Sequence, residues 1–167
     1  MKMATKTLLA REEYLRTGFE SPEPEYVNGE LVERSITNFD HAETQVLLTD
    51  AFRPWSDRKE LFCASEIRFP IGAGKFRVAD FALFLSRQKA IPEDTPYLIV
   101  EIVSTDDRHE DLMAKLADYE QMGVEFIFVA GPPLRKLSRY LRGDLLTVPA
   151  IELPAYGVDI PRTNIFA

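Results

Sequence analysis

Asp80 and Glu101 are carboxylates that break the apolar pattern of their segments. Alternate residues of a strand share a side. Over residues 75–85 one row reads Phe76, Val78, Asp80, Ala82, Phe84. Over residues 97–103 one row reads Tyr97, Ile99, Glu101, Val103, and the opposite row is Leu98, Val100, Ile102. That second segment is apolar on both sides apart from Glu101, the pattern of a covered central strand. A buried carboxylate must be neutralised, paired or bound to a cation. Two on sequential strands, which are neighbours roughly two-thirds of the time, suit one shared divalent ion such as Mg²⁺, which prefers oxygen ligands. Asp80 equally fits a charge on an edge strand facing water.

A lysine completes this constellation. At about 100° per residue, Leu112, Leu116 and Tyr119 form one helical stripe, and Lys115 falls at its border. It could reach over the sheet toward Glu101 or extend to water. Asp106, Asp107, Glu110 and Asp111 read as capping and first-turn helix charges. Other chemistries find less support. His41, His109 and Cys63 are too few for a zinc centre, and Ser104 lacks the G-x-S-x-G setting of a hydrolase nucleophile. No glycine-rich phosphate loop occurs. Arg135, Lys136, Arg139 and Arg142 form a basic patch that protects a strand edge as readily as it tracks phosphates.

The elements that must position these residues follow from pattern. An amphipathic helix is expected over residues 5–16, then a break at Ser21-Pro22-Glu23-Pro24 and a hairpin around Asn28-Gly29. Asp40, with Glu43 three residues later, is the expected N-cap of a second helix ending near Pro54. Strands are expected over residues 61–69, 75–85 and 97–103. A helix capped by Asp107 and Glu110 and stopped at Gly123 leads to a strand over 125–130, and a hairpin around Arg142-Gly143-Asp144 follows. The strand–helix–strand crossover predicts a parallel, right-handed pair. The fold class expected is mixed α/β (α+β), with a central mixed β-sheet flanked by helices.

The chain has 167 residues, 46% hydrophobic and 28% charged, which suits one globular domain over 1–167 with an N-terminal helix (1–20) and a C-terminal hairpin and tail (134–167). No apolar run approaches the ~18–20 residues that span a bilayer. The apolar stretch 7–10 is too short for a signal peptide. With the single Cys63, this points to a cytoplasmic location. The net charge of −7 argues against tight non-specific nucleic-acid binding, but is compatible with bound metal ions supplying positive charge.

These residues resemble the PD-(D/E)xK nuclease motif: Asp80, then Glu101-Ile102-Val103. More closely, the chain resembles a large bacterial family of uncharacterised restriction endonuclease proteins within that superfamily. The likeness is carried by Glu25-Tyr26-Val27-Asn28-Gly29-Glu30-Leu31-Val32, His41, Ala79-Asp80, Val100-Glu101-Ile102-Val103-Ser104, Lys115 with Tyr119, and Gly123-Val124-Glu125-Phe126-Ile127-Phe128-Val129. Ala79 replaces a proline, Thr105-Asp106-Asp107 replaces a Pro-Ser segment, and Ala130-Gly131 replaces Asp-Pro. The acidic Asp106-Asp107 pair near the site would repel a phosphate backbone.

The resemblance implies a restriction-endonuclease-like fold. It implies Asp80 and Glu101 as ligands of Mg²⁺ (or Mn²⁺), Lys115 as a catalytic lysine moved from strand to helix, and Glu30 as a further acidic site residue. His41 matches a family position too. The expected function is a metal-dependent phosphodiester hydrolase acting on DNA, in a homodimer. The alternative is a nuclease-like binding or assembly module whose carboxylates are held by internal pairs such as Glu101 with Lys115. A dimer built by the terminal hairpin would show exposed Phe and Tyr there.

Overall fold

A computed structural model of the chain describes residues 8–104 and 107–166. Thr105 and Asp106, and residues 5–7 of the expected N-terminal helix, lie outside them; residues 8–10 are not helical, Ala10 being extended, so that helix begins only at Arg11. The elements in order are α1 (Arg11–Arg16), β1 (Glu25–Val27), β2 (Glu30–Val32), α2 (Phe39–Asp57), β3 (Phe62–Ile71), β4 (Lys75–Phe84) and β5 (Leu98–Ile102). Then come α3 (His109–Met122), β6 (Phe126–Gly131), β7 (Lys136–Leu141), β8 (Asp144–Thr147), β9 (Ala150–Leu153) and β10 (Val158–Pro161).

Eight strands form one mixed sheet in the order β2-β1-β4-β5-β6-β7-β8, with β3 also paired to β4. The β5–α3–β6 crossover is parallel, Leu98 opposite Phe126 through Ile102 opposite Ala130. The neighbouring pairs are antiparallel. The Asn28-Gly29 hairpin forms as expected, with both residues at positive φ (51° and 92°), as a two-residue turn requires. Gly123 ends α3 in the left-handed region at φ 92°, where a Cβ would add strain.

Helices cover both faces. On one side Leu48 and Phe52 of α2 pack on Phe81, Leu83, Leu98 and Val100. On the other, Leu116 and Tyr119 of α3 pack on Ala82, Phe84, Ile99, Ile127 and Val129.

Five further local expectations need correction. The N-cap of α2 is Asn38, whose side chain accepts from the His41 N–H, and Asp40 lies inside the first turn. The helix continues through Pro54 to Asp57. Asp107 does not cap α3 through its side chain. It accepts from the Ser104 N–H and from the Ser35 hydroxyl instead. The stretch after residue 148 is also more than a tail: β9 and β10 pair, and Ile151, Leu153, Val158 and Ile160 are buried against α2. Trp55 Nε1 donates to Tyr156 O at 2.8 Å across this contact. On the β7–β8 hairpin Tyr140 is buried and the exposed large apolar residues are Leu141 and Leu146, so the Phe and Tyr expected of a hairpin dimer are not there.

Because β9 and β10 close the α2 face, Ile151→Ala should lower the unfolding free energy by about 2–4 kcal/mol. Urea unfolding measures this directly, and a loss below about 0.5 kcal/mol would show that the segment merely decorates the surface.

Candidate active site

The site begins with a gap in the edge of β4. Along its other edge β4 pairs with β3 over nearly its whole length. On this edge, β1 covers only Lys75 and Phe76, and β5 covers only Phe81 to Leu83. Between them the main-chain groups of Val78 lack a strand, and buried backbone groups must be satisfied. Side chains do this. Glu25 Oε1 accepts from the Val78 N–H at 3.1 Å, and Lys115 Nζ donates to Val78 O at 2.8 Å. At the far lip Asp80 Oδ2 accepts from the Ile102 N–H at 2.7 Å.

Filling the gap gathers charge. Lys115 Nζ lies 2.8 Å from Glu101 Oε2 and 3.0 Å from Glu25 Oε1. Tyr119, one turn along α3, donates to Glu101 Oε1 at 2.7 Å. Arg77 ties Glu25 to Asp118 of α3, and Lys75 bonds the same aspartate. Lys115 therefore does not extend to water. Its side chain is 12% exposed.

On the other side of Asp80 lies a second group. The side-chain alternation of β3 and β4 slips at Glu66 and Asp80. The residues facing α3 are Phe62 and Ala64 before the slip and Ile67, Phe69 and Ile71 after it on β3, with Ala79 and then Ala82 and Phe84 on β4. Glu66 adopts φ 51°, unusual for a non-glycine residue. Its carboxylate thereby meets Gln45 (2.7 Å) and Arg34, and Arg34 also bonds Asp80 Oδ1. His41 Nε2 stands 3.5 Å from Asp80 Oδ1 and 3.8 Å from Glu66 Oε1. That nitrogen is buried and has no hydrogen-bond partner. Donor atoms of His41, Glu66 and Asp80 all lie within 4.8 Å of one another, close enough to share one ion.

Protonation follows from the partners. Burial opposes ionisation of Asp80, but His41, Lys115 and Arg34 outweigh it and bring its carboxyl down to about 2. Burial dominates at Glu101, aided by the nearby Asp80 charge, and pushes it up to about 8 despite Lys115. One ammonium faces three carboxylates, and Glu101 has the fewest donors of its own. Glu25 is held below its ordinary value, against its burial, by Lys115 and Arg77. The Lys115 ammonium is stabilised, against its own burial, by Glu101, Glu25 and Asp80, so it acts as a fixed cation. Burial disfavours a charged His41, yet Asp80 and Glu66 raise it to about 9.

A cleft of about 490 Å³ opens over these groups, lined by Glu25, Arg34, His41, Arg77, Asp80, Glu101 and Lys115 at its floor and by Ser35, Ile36, Asp107 and Arg108 nearer its mouth. Of the residues singled out from sequence, Asp80, Glu101, Lys115 and His41 line this cleft, but the side chains close enough to share one ion are Asp80, His41 and Glu66, and the pairing expected of Asp80 with Glu101 is not among them. Glu30 does not line the cleft. It sits in β2 opposite Val27, and the hairpin's contribution is Glu25. Glu66, Arg34 and Gln45 escaped the sequence reading as well. The spacing of His41 and Gln45, one helical turn apart, was the available signal.

A sheet with a parallel crossover at its centre, helices on both faces and an acid–lysine cluster where two strands part defines a restriction-endonuclease-like protein. Residues 11–155 match the Uma2 family model, described as "Putative restriction endonuclease", and the chain belongs to that family. Among solved structures it is similar to a "putative nuclease belonging to DUF820" from Anabaena variabilis, with a TM-score of 0.79 and 15% identity, covering 92% of this chain and 95% of that one. No curated protein matches.

The shifted groups set a pH dependence for the metal-free protein. The folded chain keeps the His41 proton to about 9 and the unfolded chain loses it near 6.5, so this contribution is full below 6.5 and fades as pH rises to 9. Glu101, protonated to about 8 against 4.5 unfolded, adds a loss of the same sign over that lower range. In EDTA, melting temperature should fall from neutral to alkaline pH. His41→Gln should flatten the alkaline part of that fall and Glu101→Gln the part below pH 8. Unchanged slopes in both variants would contradict these assignments.

Proposed function

We propose that the protein is a metal-dependent phosphodiester hydrolase acting on nucleic acid, DNA first, with Asp80 and Glu101 as its acidic pair. The observation that carries this is the open cleft over two carboxylates and a fixed ammonium at the parting of β4 and β5. Family membership supports it.

The residues fit a divalent ion. His41 Nε2 is an orphaned buried atom aimed at two carboxylates. A set of one imidazole and two carboxylates suits Mn²⁺ at least as well as Mg²⁺. Asp80 with His41 and Glu66 would hold the ion, and Glu101, across the parting strands, is the further carboxylate. When bound, such an ion polarises a phosphoryl oxygen and lowers the pKa of a water.

The protein's own groups do the rest. Lys115, fixed by Glu25 and Val78 O, presents positive charge where the phosphoryl oxygens gain negative charge. Tyr119 holds the carboxyl of Glu101 in place. The cleft sets Glu25, Glu33, Asp80, Glu101, Asp107 and Asp111 against Arg34, His41, Arg77, Arg108 and Lys115, so the bare cleft offers a polyanion no excess of positive charge, and a bound metal would supply it. A dimer, each copy acting on one strand, belongs to the same proposal.

The closed Glu101–Lys115–Tyr119 contact favours a second reading, a binding module without turnover. Plasmid nicking separates the two. Wild-type protein should nick with Mn²⁺ or Mg²⁺ and not in EDTA. Asp80→Asn and Glu101→Gln should remove at least about 10³-fold of the rate, and Lys115→Met about 10²–10³-fold, with each variant still folded by circular dichroism. Metal-dependent DNA binding without any nicking would decide for the module.

A further inference from the structure

Arg34 lies on the irregular strap between β2 and α2, beside the cleft. Its side chain is 11% exposed, and its guanidinium forks across two carboxylates, Nη1 donating to Glu66 Oε2 and Nη2 to Asp80 Oδ1. Those carboxylates belong to the three side chains close enough to share an ion, and His41 approaches the same Asp80 oxygen. A guanidinium and a divalent ion on one carboxylate oxygen would stand roughly 4–6 Å apart, where like charges repel strongly at a partly buried site.

We propose that Arg34 is the resident counter-ion of this site. It neutralises Asp80 and Glu66 while the metal is absent, is displaced into the cleft when a divalent ion binds, and there takes a substrate phosphate in its fork. The planar fork matches phosphate as well as carboxylate. Beside Arg34 the strap lies at the surface: the Ser35 hydroxyl makes an exposed bond to Asp107 Oδ1, and Ile36 is 84% exposed, so little burial holds the segment in one position. This exchange also explains how Asp80 and Glu66 stand side by side without an ion. The inference rests on the metal-site reading above.

The test is Mn²⁺ binding, followed by electron paramagnetic resonance, in wild-type protein and Arg34→Gln. Removing the competing cation should tighten Mn²⁺ about tenfold and weaken Mn²⁺-dependent binding of a short phosphorothioate duplex. Equal or weaker Mn²⁺ binding in the variant overturns the inference and leaves the metal site standing, whereas no Mn²⁺ binding in either protein removes both. A variant that binds Mn²⁺ more tightly but the duplex equally well overturns the phosphate role. Should Arg34→Gln fail to fold, hydrogen exchange of residues 33–38 in the wild type decides. Faster exchange on adding Mg²⁺ supports displacement, and unchanged or slower exchange overturns it.

Discussion

Three strands compete for β4, and one edge cannot serve two of them along its whole length. β1 takes the start of that edge and β5 the end, which leaves Val78 to be satisfied by side chains. An unmade buried hydrogen bond costs about 1–3 kcal/mol, so this gap fixes what must stand beside it. An acceptor is needed for the N–H and a donor for the carbonyl, and Glu25 and Lys115 supply them. Once an ammonium is buried there, carboxylates around it follow. The charged centre is thus a consequence of how the sheet is partitioned, and it sits where the parting strands leave room for a ligand.

The same constraint explains the division of labour among the carboxylates. Glu25 has Arg77, Lys115 and a backbone N–H, and stays ionised. Asp80 has Arg34 and the Ile102 N–H, with His41 nearby. Glu101 has Lys115 and the Tyr119 hydroxyl, the smallest set for so buried a carboxyl, and burial shifts it upward. Buried ion pairs seldom add net stability over apolar residues of the same volume. A fold that keeps Glu25, Glu66, Asp80 and Glu101 with Arg34, His41, Arg77 and Lys115 about one point therefore carries them for what they can do to a ligand.

Legibility in the sequence followed the regularity of the backbone. Glu101 stood out because β5 is a straight, doubly covered strand. Asp80 stood out for the wrong row: the alternation assumed for β4 slips at that residue, and its side chain turns into the gap between β4 and β5 toward the Ile102 N–H. Glu66 was unreadable because it needs a left-handed backbone inside a strand. Arg34 lies in a segment without periodicity. Glu25 begins a three-residue strand in a stretch rich in glutamates, where composition alone could not separate it from Glu30. Asn38 outcompeted Asp40 as a cap by position, starting α2 one residue after the asparagine.

That cap links the helix to the chemistry. By accepting from the His41 N–H, Asn38 fixes the first turn of α2, and with it the direction in which His41 leaves the helix. Gln45, one turn later on the same side, bonds both the Glu66 carboxylate and Asp80 O, so α2 is pinned to the slip in the sheet at two successive turns. Opposite it, Lys115 and Tyr119 pin α3 to Glu101 in the same way. Each layer of the sandwich therefore reaches the parting of β4 and β5 through a pair of residues one helical turn apart. Moving either helix by a fraction of a turn would leave buried carboxylates without partners, which makes the site and the packing of the two layers one structural problem with a single solution.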